Sequence, residues 1–347
     1  MCDSFNLRET LNELYNIKPQ NIKEIPHGYT NRKYLLTLKN GKKYVARLSP
    51  LYREKHIWLE SYVLEKLRSY KLGFLVPKVV ATLSGEYFRN VGNYILTVFQ
   101  YIEGSVASEL QISPLDKESF SYELGNVVGN LHNAFFKIKI PKTNCTHLEL
   151  IKSYIDKFNS YFSNLNSEWK HMLFQERDYL IHEIAKYRSY YSNFKIPQSF
   201  VHTDIRLDNI ILRNDKISAI LDFNDVLIGD PAFELAVIFV EVYANHNILS
   251  KKLIDFVDVD RFVEFVRGYI NTRKIGNKKS FIEHIIHLLN LQALQVLSIV
   301  GRDPNFYEEQ RIKNVIWYSN FIHVANNENN IIFLKSKMKN LMKNGKN

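Results

Sequence analysis

Asp204, Asn209 and Asp222 are the residues whose types and spacing suit one piece of chemistry; Asn209 follows Asp204 by five positions and Asp222 follows Asn209 by thirteen. A carboxylate on a loop can take the proton of an incoming hydroxyl. An amide oxygen and a second carboxylate are the hard donors Mg²⁺ prefers, the ion completing its shell with phosphate and water. The intervals therefore point to phosphoryl transfer. Taken singly, Asp222 could end a strand and Asn209 could cap a turn; it is their combination around a hairpin that carries the functional reading.

That hairpin is legible in the residues between them. Ile210-Ile211-Leu212 and Ile217-Ser218-Ala219-Ile220-Leu221 are β-branched runs joined by the polar turn Arg213-Asn214-Asp215-Lys216, an ordinary hairpin pattern. It would return Asp222, just past the second strand, to the side of Asn209, just before the first. His202 ahead of the loop reads as a backbone-orienting residue. Asp230-Pro231 reads as an N-cap and first-turn proline opening a helix to Tyr243.

The run from His202 to Ala236, HTDIRLDNIIL…ISAILDFNDVLIGDPAFELA, resembles the catalytic segment of the protein-kinase-like superfamily. It is most similar to the aminoglycoside phosphotransferase-like branch, which includes choline/ethanolamine kinases and homoserine kinases of this fold. The resemblance implies Asp204 as catalytic base and Asn209 and Asp222 as Mg²⁺ ligands. It implies an α+β, bilobal protein-kinase-like fold, with a small antiparallel-sheet N-lobe and a mostly helical C-lobe. A protein acceptor is disfavoured: Arg206 stands where protein kinases carry Lys, Asp222-Phe223-Asn224 replaces Asp-Phe-Gly, and Ala-Pro-Glu does not occur. Thr203 replaces the glycine usual in much of the family.

Nearer the N-terminus, residues 4–16 suggest a short amphipathic helix, and Asn40-Gly41 is a strong hairpin signal between Lys33–Leu38 and Lys43–Leu48. The segment His27-Gly28-Tyr29-Thr30-Asn31 is similar to the family's phosphate-binding loop, with one glycine retained. Gly28, Thr30 and Asn31 are accordingly cofactor-binding candidates, and Arg47 falls where the family holds phosphate with Lys or Arg. Glu60, on a helix expected over 57–70, is the candidate partner for Arg47; Glu54 and Glu65 flank it on the same stretch. The strand Tyr94–Gln100 leads to Glu103-Gly104, which in the family marks the hinge where backbone groups hold the nucleobase. That alignment puts the contacts at Gln100 and Ile102. The resemblance implies ATP or GTP as the phosphate donor.

The organisation expected is a nucleotide-binding lobe over 1–100, a hinge at 101–104, a catalytic and acceptor-binding lobe over 105–334, and a basic, frayed tail over 335–347. A length of 347 residues, 46% of them hydrophobic, suits two packed lobes rather than a disordered chain. The net charge of +10 is scattered and partly concentrated in the C-terminal lysines, which fits a solvated surface and an anionic ligand better than a nucleic-acid groove. Two cysteines give no disulfide framework or zinc pattern, the first residues lack an apolar signal core, and the most apolar helix is interrupted by polar residues. The expectation is a cytoplasmic enzyme with no nucleic-acid or membrane partner, acting on a small hydroxylated molecule. Asp225, Glu234, Glu241 and Asp303 are the acids that could line a pocket for a cationic acceptor. His284 and His287 stand three apart without a third metal ligand, and a nucleotide-binding protein without transfer activity is disfavoured by retention of all three site residues.

Overall fold

The turn at Asn40-Gly41, with Gly41 at φ +79°, brings Thr37 opposite Lys43, and this sets the register of the N-terminal sheet. The computed structural model describes residues 6–26, 31–110, 113–114, 118–143, 146, 179, 182–183, 185–186, 189, 198–247, 249–300 and 308–343. The chain divides into two compact units, one of Met1–Val106 with Ile210–Val226 and one of Ala107–Asn209 with Leu227–Asn347.

In the first unit, strands β1 (Pro19–Ile25), β2 (Arg32–Leu38), β3 (Lys43–Pro50), β4 (Arg89–Val91) and β5 (Tyr94–Gln100) form an antiparallel sheet of order β1-β2-β3-β5-β4. Strand β3 alternates. Tyr44, Ala46 and Leu48 join Leu36, Leu96 and Val98 in a core closed by Leu11 and Tyr15 of helix α1 (Leu7–Tyr15). Arg47 therefore points to the opposite face, where helix α2 (Glu54–Leu67) buries Ile57, Leu59, Glu60, Val63, Leu64 and Leu67. A second sheet joins β6 (Ser105–Val106), β8 (Ile210–Arg213) and β9 (Lys216–Ile220) in the order β6-β8-β9. The β8–β9 hairpin has Arg213 opposite Lys216. Both turn residues, Asn214 and Asp215, have positive φ, the geometry that matches strand twist.

In the second unit, α3 (Glu118–Phe135) packs on α6 (Val259–Thr272), β7 (Ser199–Val201) pairs with β10 (Leu227–Gly229), and α4 (Pro231–Tyr243) runs through the core. Nearly every residue of α4 is buried, as expected of a helix apolar on all sides. Its N-cap Asp230 accepts from the Ala232 N–H at 2.9 Å. A short helix α5 (Leu253–Phe256), then α7 (Lys278–Val300), α8 (Glu308–Asn326) and α9 (Glu328–Met338), complete the described elements. The expected frayed end from Lys335 is corrected here: α9 carries Lys335 and Lys337, and Met338 and Leu341 are buried. Those apolar side chains anchor the segment. Among the described residues no helix is long and apolar enough to cross a membrane.

The α3–α6 contact depends on absent side chains. A Cβ on Gly125 would lie 2.0 Å from the Phe265 carbonyl oxygen, and one on Gly268 would lie 2.1 Å from that of Tyr122. Gly125→Ala must separate two backbones and is expected to destabilise the protein by about 1–3 kcal/mol. Denaturant unfolding checks this; an unchanged midpoint would contradict the close approach.

Candidate active site

A buried carboxylate organises the loop that carries Asp204. Glu234, on the first turn of α4, is fully buried. Its Oε2 accepts the His202 backbone N–H at 2.6 Å and its Oε1 accepts that of Thr203 at 2.9 Å. His132 Nε2 lies 3.0 Å from Glu234 Oε2, and His132 Nδ1 lies 2.8 Å from the Tyr269 hydroxyl. The Tyr269 oxygen accepts from Arg273 Nη1 at 2.6 Å, so its own proton goes to His132 Nδ1 and His132 donates Nε2–H to Glu234. The network ties α3, α4 and α6 to two consecutive amides of the loop. This corrects the expectation for Glu234, which is a loop clamp and not a pocket acid. Thr203, held by that clamp, sits at φ +66°, a costly conformation for a β-branched residue.

Burial pushes the His132 imidazole below its ordinary value despite Glu234. For Glu234, burial alone would raise the pKa, but hydrogen bonds from His132 and from the His202 amide bring it below the usual carboxylate range. Both groups thus bind fewer protons folded than unfolded, so the stability they confer is present at high pH and lost as pH falls. The loss begins below about 6.5 through His132 and continues below about 4.5 through Glu234. His132→Gln is expected to flatten the stability profile between pH 7.5 and 5.5, removing up to about 1.4 kcal/mol per pH unit. Unfolding curves for both proteins at several pH values test this; equal pH slopes would contradict it.

The clamp presents Asp204. Its backbone N–H donates to His202 Nδ1 at 3.3 Å, the orienting contact expected of that histidine. Asn209 Nδ2 donates both to the Asp204 carbonyl and to Oδ2, each at 2.8 Å. Asn209 is buried while the Asp204 side chain remains 32% exposed, leaving a fixed carboxylate with room for an approaching group. With its nitrogen committed to Asp204, the amide oxygen of Asn209 is the atom left to serve as a hard donor. Arg206, noted from the sequence only as a departure from protein kinases, brings Nε to 3.6 Å from Asp204 Oδ1 and Nη2 to 2.8 Å from Asp208 Oδ2. Burial works against its charge, and Asp204, Glu241 and Asp208 more than offset that, raising its pKa. Glu241 also accepts from the Tyr318 hydroxyl at 3.2 Å.

The first unit holds the remaining site residues. Arg47 and Glu60, both buried, face each other in a two-pronged pair, Nη1 to Oε1 at 3.0 Å with Nη2 on Oε2. Glu54 and Glu65, on the same helix, make no such contact; Glu65 pairs with Arg68 at 2.8 Å. Burial opposes the Arg47 charge, but Glu60, then Asp222 and Asp225, hold its pKa above the ordinary value. Breaking such a buried pair typically costs about 3–5 kcal/mol. Arg47 Nη1 lies 3.7 Å from Asp222 Oδ1, and Lys33 Nζ lies 2.8 Å from Asp222 Oδ2. Asp222 has φ +60°, opening the single turn Phe223–Asp225 against which α2 packs. Lys33 was not singled out by the sequence reading, although the Asn40-Gly41 turn contains the signal: it pairs β2 with β3 so that Lys33 lies opposite Arg47.

Asn31 is buried, and its side-chain oxygen has no hydrogen-bond partner; Gly28 and Thr30 lie outside the described residues. The Gln100 N–H donates to the Lys78 carbonyl at 2.9 Å, and Ile102 lies in the irregular segment after β5. Asp225 pairs with Arg53 at 2.6 Å, His284 is bonded to Asp230, and Asp303 lies outside the described residues.

A family model described as "Phosphotransferase enzyme family" matches residues 21–252. The chain belongs to this family. Solved structures sharing the fold include an amicoumacin kinase in complex with AMP-PNP, Ca²⁺ and Ami, 16% identical over 92% of both chains with a TM-score of 0.69. A microcompartment-associated aminopropanol kinase is 16% identical over 95% of this chain and 97% of its own, with a TM-score of 0.66. A spectinomycin phosphotransferase in complex with ADP and its antibiotic is 14% identical over 96% and 98%, with a TM-score of 0.61. These likenesses establish the kinase-like α+β fold. No curated protein matches the sequence.

Proposed function

We propose that this phosphotransferase moves the γ-phosphate of ATP or GTP to a hydroxyl of a small molecule, with Asp204 as the base. The observation that carries the reading is the half-open Asp204 carboxylate, fixed by Asn209 on a loop whose amides are clamped by buried Glu234. Asp204 orients the acceptor hydroxyl and takes its proton; the acceptor oxygen bonds to phosphorus as the bond to the nucleoside diphosphate breaks. Arg47, braced by Glu60, holds the phosphates that are not transferred, and Gly28, Thr30 and Asn31 belong to the phosphate-binding loop. Backbone groups at Gln100 and Ile102 hold the base.

The Asp222 carboxylate and the Asn209 amide oxygen are each hard donors of the kind Mg²⁺ takes, and we assign both as its ligands. When bound, Mg²⁺ neutralises phosphate charge and orients the phosphates. A nucleotide donor is supported by the AMP-PNP bound to the amicoumacin kinase and the ADP bound to the spectinomycin phosphotransferase, and a divalent ion by the Ca²⁺ of the former. The acceptor follows the aminoglycoside phosphotransferase-like reading, with choline, ethanolamine or homoserine as the alternative.

The test is incubation with γ-labelled ATP or GTP, Mg²⁺, and separate panels of aminoglycosides, choline, ethanolamine, homoserine and a general protein substrate. Label in a small molecule supports the proposal. Label in protein would replace it with a protein kinase, and nucleotide binding without transfer to any acceptor would favour a non-catalytic nucleotide-binding protein.

A further inference from the structure

Lys33 has no part in the roles assigned above, yet its Nζ, 2.8 Å from Asp222 Oδ2, is closer to that carboxylate than Arg47 is at 3.7 Å. Lys33 on β2 and Arg47 on β3 are direct cross-strand partners, so both side chains project from one face of the sheet. Like charges placed directly opposite each other destabilise a sheet, more so where water is scarce; Arg47 is 3% exposed and the Lys33 side chain 24%. Glu60 occupies Arg47 through both oxygens, which leaves Asp222 as the counter-charge for Lys33.

Two cations and two carboxylates balance only while the site is without ligand. A divalent ion with a nucleoside triphosphate adds net negative charge, and the ion takes Asp222 for itself. The lysine ammonium, a compact charge with three donors on a flexible stem, then loses its partner beside a triphosphate that lacks one.

We propose that Lys33 is a second phosphate-binding cation of the donor site, and that in the ligand-free protein it holds the carboxylate a divalent ion takes on nucleotide binding. The proposal rests on the reading of Asp222 as a metal ligand. It requires opposite signs for two ligands. Without nucleotide, Lys33 competes with the ion for Asp222; with nucleotide, it contributes affinity.

The experiment is calorimetric titration of wild type, Lys33→Met and Lys33→Arg with Mn²⁺ alone, and with non-hydrolysable ATP and GTP analogues in excess Mg²⁺. Lys33→Met is expected to bind Mn²⁺ about two- to tenfold more tightly, and the analogue about tenfold more weakly. Lys33→Arg keeps nucleotide affinity near wild type, and matched thermal melting of the three proteins confirms intact folding. Nucleotide affinity unchanged in Lys33→Met, or Mn²⁺ binding that does not tighten, would overturn the proposal. Wild type that binds neither analogue would instead remove the donor-site reading on which the proposal stands.

Discussion

Asp204→Asn is expected to reduce phosphate transfer by about 10²–10⁴-fold, the range for losing a positioned general base, while leaving nucleotide affinity close to wild type. The substitution preserves size and the backbone contacts of the loop: the 204 amide still meets His202 Nδ1, and Glu234 still holds residues 202 and 203. A side-chain oxygen also remains for Asn209 Nδ2, which now donates to Oδ2 at 2.8 Å. What is lost is the carboxylate that accepts the hydroxyl proton. Steady-state rates paired with calorimetric nucleotide binding separate the two effects. A variant turning over within a few-fold of wild type would remove Asp204 from the chemistry.

Glu234→Ala has the largest expected effect on the folded state. Three donors converge on this fully buried carboxylate: His132 Nε2–H and the amides of His202 and Thr203. Each would be left in a dry interior without an acceptor, and the Thr203 backbone, at φ +66°, would lose the contact that holds it there. Removing one member of such a buried network costs about 3–5 kcal/mol, a fall in melting temperature of roughly 10 °C for a unit this large. Transfer should fall with it, because the Asp204 loop is no longer tied to α4. A variant that melts with wild type would show that the loop is held by other means.

The reach of the sequence differs between these residues for physical reasons. The β8–β9 hairpin was legible because β-branched runs and an Asn-Asp turn act locally, and the observed Arg213–Lys216 pairing follows from them. Strand β5 falls where the apolar run put it, at Tyr94–Gln100. Strand β1, Pro19–Ile25, was missed because its residues are mostly polar and mostly exposed; it is a strand because β2 offers it an edge, which no local pattern records. Glu234 was misread because a carboxylate in a helix has the same sequence signature whether it faces solvent or clamps a loop. Only the burial of the whole of α4 distinguishes the two. Lys33 lay within reach, since a tight turn at Asn40-Gly41 makes the register countable, but a lysine in a strand attracts no attention until its opposite number is written beside it.

The most direct test of the central claim is ³¹P spectroscopy of wild type and Asp204→Asn with Mg²⁺, ATP or GTP, and each candidate acceptor. A new phosphate-monoester resonance is expected on one hydroxylated acceptor, growing with nucleoside diphosphate in wild type and nearly absent in the variant. Equal monoester formation by both proteins, or nucleotide consumption yielding only inorganic phosphate with every acceptor, would contradict it.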